Sequence, residues 1–313
     1  MFAEPVYSSS KFHPEQLRTK FMSTQNLTFT KAAETVPPQA WFGVSAIFHY
    51  LGPSFAVLLF PAVGVLGVAW MRIASAALIF APWTKPWETI RAANKGVRLL
   101  LIGLGFCLAI MNTSFYLALD RLPMSLVAAM EFIGTIGVAL YGLRTSRNLA
   151  ALALAVLGVI ILIDIKWSTD PLGLFWAALN SSLFIGYIIL GHKVAEDGAT
   201  DGVERLGAAM AIAFVFIMPI GFAQAVKAFG VIASVLAGIG VGICSSVIPY
   251  ICDQLAMSRL PRASFALLLA LLPATATIIA AIVLVQIPTM RDIGGVALVM
   301  IGVAFHKPPQ AGS

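Results

Sequence analysis

Three ionisable side chains lie deep inside apolar stretches of this sequence, and they are where chemistry is most expected: Arg72, Glu131 and Asp253. The other Asp, Glu, Lys and Arg residues, of thirty-four in all, fall at or beyond the edges of such stretches. A charge at the centre of a bilayer costs about 2.5–3.5 kcal/mol even on insertion scales, so each must face a wet cavity, pair, or neutralise. Glu131 follows Val127-Ala128-Ala129-Met130 and precedes Phe132-Ile133-Gly134. A desolvated carboxyl disfavours its charged form, which makes Glu131 a candidate for binding and releasing a proton. Tyr250 and Ser246 precede Asp253 by three and seven residues, a helical spacing that puts the three on one face. Arg72 could neutralise Glu131 or hold an anionic group of a substrate. The plainer alternative is a buried Arg72–Glu131 pair that only locks helices together.

Further polar groups interrupt the apolar runs: His49 and Tyr50, Asn112 and Tyr116, Asn180-Ser181-Ser182, and Ser245-Ser246. They can line a substrate path, but polar side chains also bond between membrane helices. Pro249 and Pro273 lie within apolar runs and are expected to kink them, freeing backbone carbonyls. The cysteines Cys107, Cys244 and Cys252 show no CxxC spacing and read as small apolar side chains rather than metal or redox ligands. Gly238-Ile239-Gly240-Val241-Gly242 lacks the strand–turn–helix setting of a nucleotide loop, so helix packing is the better reading. With no Walker lysine motif, no HExxH and no GxSxG, ATP-driven pumping and hydrolysis have no basis in the sequence, and no cofactor or metal is expected.

The elements that position these residues follow from composition. The chain has 313 residues, 59% hydrophobic and only 11% charged, with a mean hydropathy of +0.92. Soluble domains carry about 25% charged residues, so a bilayer is the solvent that fits. The net charge of +6 comes from Lys and Arg scattered singly, with no basic stripe to bind nucleic acid. Spans of roughly 20 apolar residues are predicted near 40–60, 64–82, 97–117, 123–142, 148–166, 172–191, 206–223, 231–256, 263–285 and 292–306. Trp83, Trp87 and Trp167 fall at span ends, where indoles favour the headgroup layer. With the N-terminus inside, fifteen Lys and Arg fall in inner segments and four (Arg121, Lys166, Lys227, Arg291) in outer loops. The positive-inside rule therefore places both termini in the cytoplasm. Residues 1–36 are polar and lack a signal-peptide core, reading as a cytoplasmic tail, within which Met22 is an alternative start.

Leu117-Ala118-Leu119-Asp120-Arg121-Leu122-Pro123 recurs as Leu255-Ala256-Met257-Ser258-Arg259-Leu260-Pro261, with five of seven positions identical at an offset of 138. Arg147 and Ala153-Leu154 through Gly158-Val159 likewise match Arg291 and Ala297-Leu298 through Gly302-Val303 at an offset of 144. Five spans per half is an odd number, so the halves lie antiparallel. The expected fold is an all-α membrane protein of ten transmembrane helices arranged as a 5+5 inverted repeat. Its parts are a tail over 1–36, repeats over 37–166 and 167–306, and a short tail over 307–313. Inverted repeats recur in secondary transporters because the halves can exchange conformations.

Five further segments stand in order along the chain: Leu59-Phe60-Pro61-Ala62-Val63-Gly64, Lys85-Pro86-Trp87, Met111-Asn112 with Phe115-Tyr116-Leu117, Met130-Glu131-Phe132-Ile133-Gly134, and Ile248-Pro249-Tyr250 running to Arg259-Leu260-Pro261. In these segments the chain resembles the drug/metabolite transporter superfamily and its EamA-type ten-span members, most of all the bacterial threonine and homoserine exporters. The resemblance implies residence in a bacterial inner membrane, export of a small amino acid or related metabolite, and proton antiport. It implies that Glu131 is the family's membrane glutamate, Tyr250 a family tyrosine, and Asp253 the counterpart of a carboxylate. The span-9 Glu-Pro of these exporters reads Leu272-Pro273 here, which puts substrate and coupling in question. The expected site is Glu131, Arg72, Asp253, Asn112, His49 and Tyr250, binding substrate and protons. An exporter of drugs or organic cations on the same fold, an intramembrane enzyme, and a sensor or structural protein are the alternatives. An Arg72 facing the cavity counts against organic cations.

Overall fold

The computed structural model describes residues 35–128, 130–132, 145–162, 170–196, 199–269 and 271–305. The chain divides into two units, Met1–Pro37 and Pro38–Ser313, and the predicted spans all belong to the second. The expected N-terminal tail, apart from 35–36, Trp167, and most of the predicted fourth span lie outside the described residues. Among the described residues all regular structure is helical, as a bilayer demands of open chains that must satisfy every backbone group internally. The helices are α1 (Pro38–Val63), α2 (Val65–Thr84), α3 (Pro86–Ala92), α4 (Lys95–Leu119), α5 (Ser146–Leu162), α6 (Pro171–Ala195), α7 (Ala199–Ala225) and α8 (Ile232–Gly242). A π-helical turn, Ile243–Val247, joins α8 to α9 (Ile248–Met257), and α10 (Arg262–Leu268), α11 (Leu271–Val283) and α12 (Met290–Phe305) complete the series. Residues 124–128 and 130–132, which carry Glu131, are also helical.

Among the described residues seven helical runs are long and apolar enough to cross a membrane: Pro38–Val63, Val65–Thr84, Lys95–Leu119, Pro171–Ala195, Asp201–Gly230, Ile232–Met257 and Ser264–Val283. The fifth and tenth predicted spans meet the shorter helices α5 and α12. Boundaries follow local chemistry. The Asn94 side chain caps α4 by accepting from the Val97 amide. Asp170 caps α6 by accepting from Leu172 and Gly173, with Pro171 in the first turn, where no donor is missed. Trp83 and Trp87 are exposed at the α2–α3 junction, as headgroup-layer indoles should be.

Close glycine contacts fix helix directions. A side chain at Gly67 would strike Ala225, one at Gly221 would strike Leu66 and Trp70, and one at Gly207 would strike Thr84. Rising numbers on α2 thus meet falling numbers on α7, and the two helices are antiparallel. Gly158 abuts Gly295 and Val299 while Gly302 abuts Ala151 and Ala155, so α5 and α12 are antiparallel too. Between α4 and α6, Gly186 lies beside Cys107, and Gly173 beside Arg121 and Leu122. Small residues permit such approaches, and in lipid these contacts replace the missing hydrophobic drive. Gly238 and Gly242, read from sequence as packing positions, meet Met71 and Ser75 of α2.

Where α4 ends, Arg121 donates to Asp170. That bond, helped by the Leu172 amide, holds the Asp170 carboxyl below the usual carboxylate range. A lowered value in the folded state means that the stabilisation is complete above the ordinary carboxylate pKa and fades only as pH falls through the lowered one. The thermal-midpoint difference between wild type and Arg121→Ala in detergent should therefore be the same at pH 8 and pH 5. It should also be small, because both partners are about one-third exposed.

Candidate functional site

Among the described residues the buried Asp, Glu, Lys and Arg side chains are Arg72, Glu131 and Asp253. Each carboxylate is held by both α1 and α6. Glu131 accepts from Tyr50 Oη at 2.7 Å on Oε2 and from Asn180 Nδ2 at 2.8 Å on Oε1. Asp253, on α9, accepts from Ser45 Oγ at 2.5 Å on Oδ1 and from Tyr187 Oη at 2.8 Å on Oδ2. Tyr50 lies five residues beyond Ser45 on α1, and Tyr187 seven residues beyond Asn180 on α6. At 1.5 Å of rise per residue the two bonding levels are separated by about 7.5 Å along α1 and about 10.5 Å along α6. Any rearrangement of α1 against α6 therefore disturbs both carboxylates together.

Arg72, on α2, reaches the discontinuity between α8 and α9. In an α-helix the carbonyl of Ser245 accepts from residue 249, but that residue is Pro249 and has no N–H. The turn widens instead to the π form, with the Ile248 amide bonding back to the Ile243 carbonyl. Arg72 Nη2 takes the freed Ser245 carbonyl at 2.6 Å, and Nε donates to Ser246 Oγ at 2.9 Å. The guanidinium carbon lies 5.3 Å from the centre of the Tyr116 ring and 6.0 Å from that of Tyr250. Aromatic faces and a carbonyl dipole thus surround a buried cation that has no carboxylate partner among the described residues. The carbonyl expected to be freed by Pro249 serves Arg72.

Arg72 and Glu131 form no ion pair; those among the described residues are Lys85–Glu88, Arg121–Asp170 and Arg262–Glu196. This corrects the sequence-based alternative in which Arg72 and Glu131 lock together. Geometry explains it: serine, tyrosine and asparagine groups already hold both side chains. Tyr250 Oη donates to Asn112 Oδ1 at 2.9 Å and lies 3.4 Å from Arg72 Nη2. Asn112 also donates to the Leu108 carbonyl. His49 packs edge-on against Tyr50 and Phe184, at 5.4 and 5.8 Å between ring centres. It makes no hydrogen bond to a described residue.

Arg72, Tyr250 and Asn112 thus form one connected group. Glu131 with Tyr50 forms a second, which His49 flanks, and Asp253 a third, tied to the first by the Tyr187–Tyr250 ring contact at 5.5 Å. Sequence reasoning missed Ser45 and Tyr187 as carboxylate partners and read Asn180 only as one of several polar groups that line a path or bond between helices. The spacing held a signal: Asn180 and Tyr187 are seven residues apart on one helical face, and Ser45 precedes His49 by four. Leu272, where the exporters carry glutamate, is buried in α11, which packs on α1.

Residues 171–306 match the EamA-like transporter family. The chain is 34% identical over 230 residues to the threonine/homoserine exporter RhtA of Salmonella typhimurium, covering 72% of this chain and 76% of that one. The RhtA protein of Escherichia coli matches at the same identity and coverage. A crystal structure shares the fold with a TM-score of 0.60 at 15% identity, covering 85% of this chain and 96% of the other. Identity and coverage of that order, joined to apolar helices around buried ionisable residues, place the chain in the EamA-like transporter family of the drug/metabolite transporter superfamily.

Proposed function

We propose that this protein is a secondary exporter of a small amino acid, such as threonine or homoserine, working by proton antiport and alternating access. Its helices form a 5+5 inverted repeat over 37–166 and 167–306, with both termini cytoplasmic in a bacterial inner membrane. The antiparallel pairs α2–α7 and α5–α12 support this repeat, since each joins a helix to its counterpart five spans on. A second support is the bond between Asn112 and Tyr250. These positions correspond at the offset of 138, and residues on a two-fold axis touch their own counterparts.

One observation carries the mechanism: Glu131 is desolvated yet held by neutral donors from α1 and α6, the first helices of the two halves. A carboxylate there loses its partners when the halves rock, so its proton affinity changes with the side that is open. Arg72 supplies a site for the substrate carboxylate and disfavours organic cations. Asp253 provides a second negative charge between the halves, in a chain that has Leu272 in place of the exporters' glutamate. No catalytic residue enters this reading, and the substrate and protons are its only small partners.

Counterflow of labelled L-threonine and L-homoserine in proteoliposomes under an imposed pH gradient is the test. Wild type is expected to concentrate one of them against the proton gradient. Glu131→Gln keeps the neutral shape of a protonated carboxyl and should lose gradient-driven uptake by about a hundredfold, the usual scale for a positioned proton-transfer group being ~10²-fold or more. Wild-type rate and pH dependence in Glu131→Gln would refute the coupling role. Overexpression with a panel of toxic amino acids and analogues identifies the cargo by the compound whose toxicity falls.

A further inference from the structure

Asn180 is 1% exposed and spends its amide nitrogen on Glu131 Oε1. Its amide oxygen is buried without a hydrogen-bond partner among the described residues. Buried acceptors are nearly always bonded, and one left bare at a transport site points to a donor that arrives with the ligand. Beside it, no cation among the described residues bonds Glu131: Tyr50 and Asn180 are its partners, and Arg72 is held at Ser245, Ser246 and Tyr250. A single incoming group that answers both needs must carry positive charge and several N–H donors on a compact centre, which describes a primary ammonium.

We propose that the substrate's ammonium group binds between the Glu131 carboxylate and the amide oxygen of Asn180, and that Asn180 makes this position exclusive of a proton on Glu131. The inference rests on the exporter reading given above and deepens it. With Glu131 ionised, the amide must point its NH₂ at the carboxylate and its oxygen at the ammonium. A proton on Oε1 turns that oxygen into a donor, so the amide must turn over to accept from it. The NH₂ then occupies the place of the oxygen, a donor facing a donor, and the ammonium is rejected by hydrogen-bond polarity as well as by lost charge. Proton and substrate thus compete for one position, as antiport requires. Among the described residues the other titratable and charged groups of this core are His49 and Tyr50 on α1, Arg72 on α2, Cys107 and Tyr116 on α4, Tyr187 on α6, and Tyr250, Cys252 and Asp253 on α9.

The test uses wild-type and Asn180→Leu protein in proteoliposomes, with L-threonine counterflow between pH 6 and pH 8. In wild type, KM for L-threonine should rise as pH falls. Asn180→Leu should raise KM about tenfold at pH 8, the equivalent of one hydrogen bond to a charged group, and should flatten the pH dependence. A purely structural Asn180 would lower the rate without moving the pH profile of KM. A second arm needs no variant: N-acetyl-threonine and the hydroxy acid that has OH in place of the amine should fail to compete with L-threonine on wild type. Equal competition by either compound, or unaltered KM and pH profile in Asn180→Leu, overturns the assignment and leaves the exporter reading standing. Wild-type vesicles that carry neither threonine nor homoserine overturn both.

Discussion

Arg72→Ala should abolish transport, with a loss of about a hundredfold or more, and should lower the thermal unfolding midpoint of the detergent-solubilised protein. Three acceptors lose a charged donor at once: the Ser245 carbonyl, Ser246 Oγ and Tyr250 Oη. Hydrogen bonds to charged groups contribute about 1.5–3 kcal/mol each, and a buried group left bare carries its full desolvation penalty. The Ser245 carbonyl has no substitute, because the residue that would normally donate to it is Pro249. Arg72→Lys separates charge from shape. An ammonium preserves the positive charge but not the planar fork that serves two serines side by side. It should retain the midpoint better than alanine while still losing roughly tenfold in transport, about 1.4 kcal/mol. If Arg72→Ala unfolds at the wild-type temperature and transports normally, the cation contributes neither to the helix break nor to the substrate site.

Gly52→Val should be nearly as damaging through packing alone. A Cβ built at Gly52 would strike Ser245 Oγ and lie 2.6 Å from the Ser245 amide nitrogen and 2.8 Å from the Cys244 carbonyl carbon. A hydroxyl can rotate away, but two backbone atoms cannot, so α1 and the π turn must separate. Overpacking of this kind costs about 1–3 kcal/mol, occasionally more. The separation would displace the carbonyl that Arg72 holds and draw Tyr50, on the same helix as Gly52, away from Glu131. The expected readouts are a lower midpoint and a loss of counterflow, whereas Gly43→Val on α1, with nothing within 4 Å of its Cβ position, should leave both near wild type. Similar results for the two valine variants would mean that helix propensity, and not the α1 contact, sets the effect.

Much of this arrangement was legible in one dimension. A membrane span is selected by its own hydropathy, since in lipid each helix satisfies its backbone internally. The run lengths therefore placed α1, α2, α4, α6, α7 and the α8–α9 segment close to where they lie. The same rule marked Arg72, Glu131 and Asp253, because an intramembrane charge is too costly to be incidental, and all three are buried. Pro249 likewise announced a freed carbonyl.

Partnership was not legible. Ser45 bonds Asp253 across 208 positions of sequence, and Tyr50 bonds Glu131 across 81. Such pairs depend on how far each helix is rotated about its axis and how deeply it sits, and no local pattern records either. Rotation and depth are set where helices touch, at small residues such as Gly52, Gly67 and Gly221, whose significance appears only once the opposing backbone is in place. Residue order alone dictates which stretches enter the membrane and which charges go with them, because lipid tests each segment separately. Packing in three dimensions assigns the partners: Arg72 answers a broken helix instead of Glu131, α1 and α6 share both carboxylates, and Asn180 keeps an oxygen in reserve.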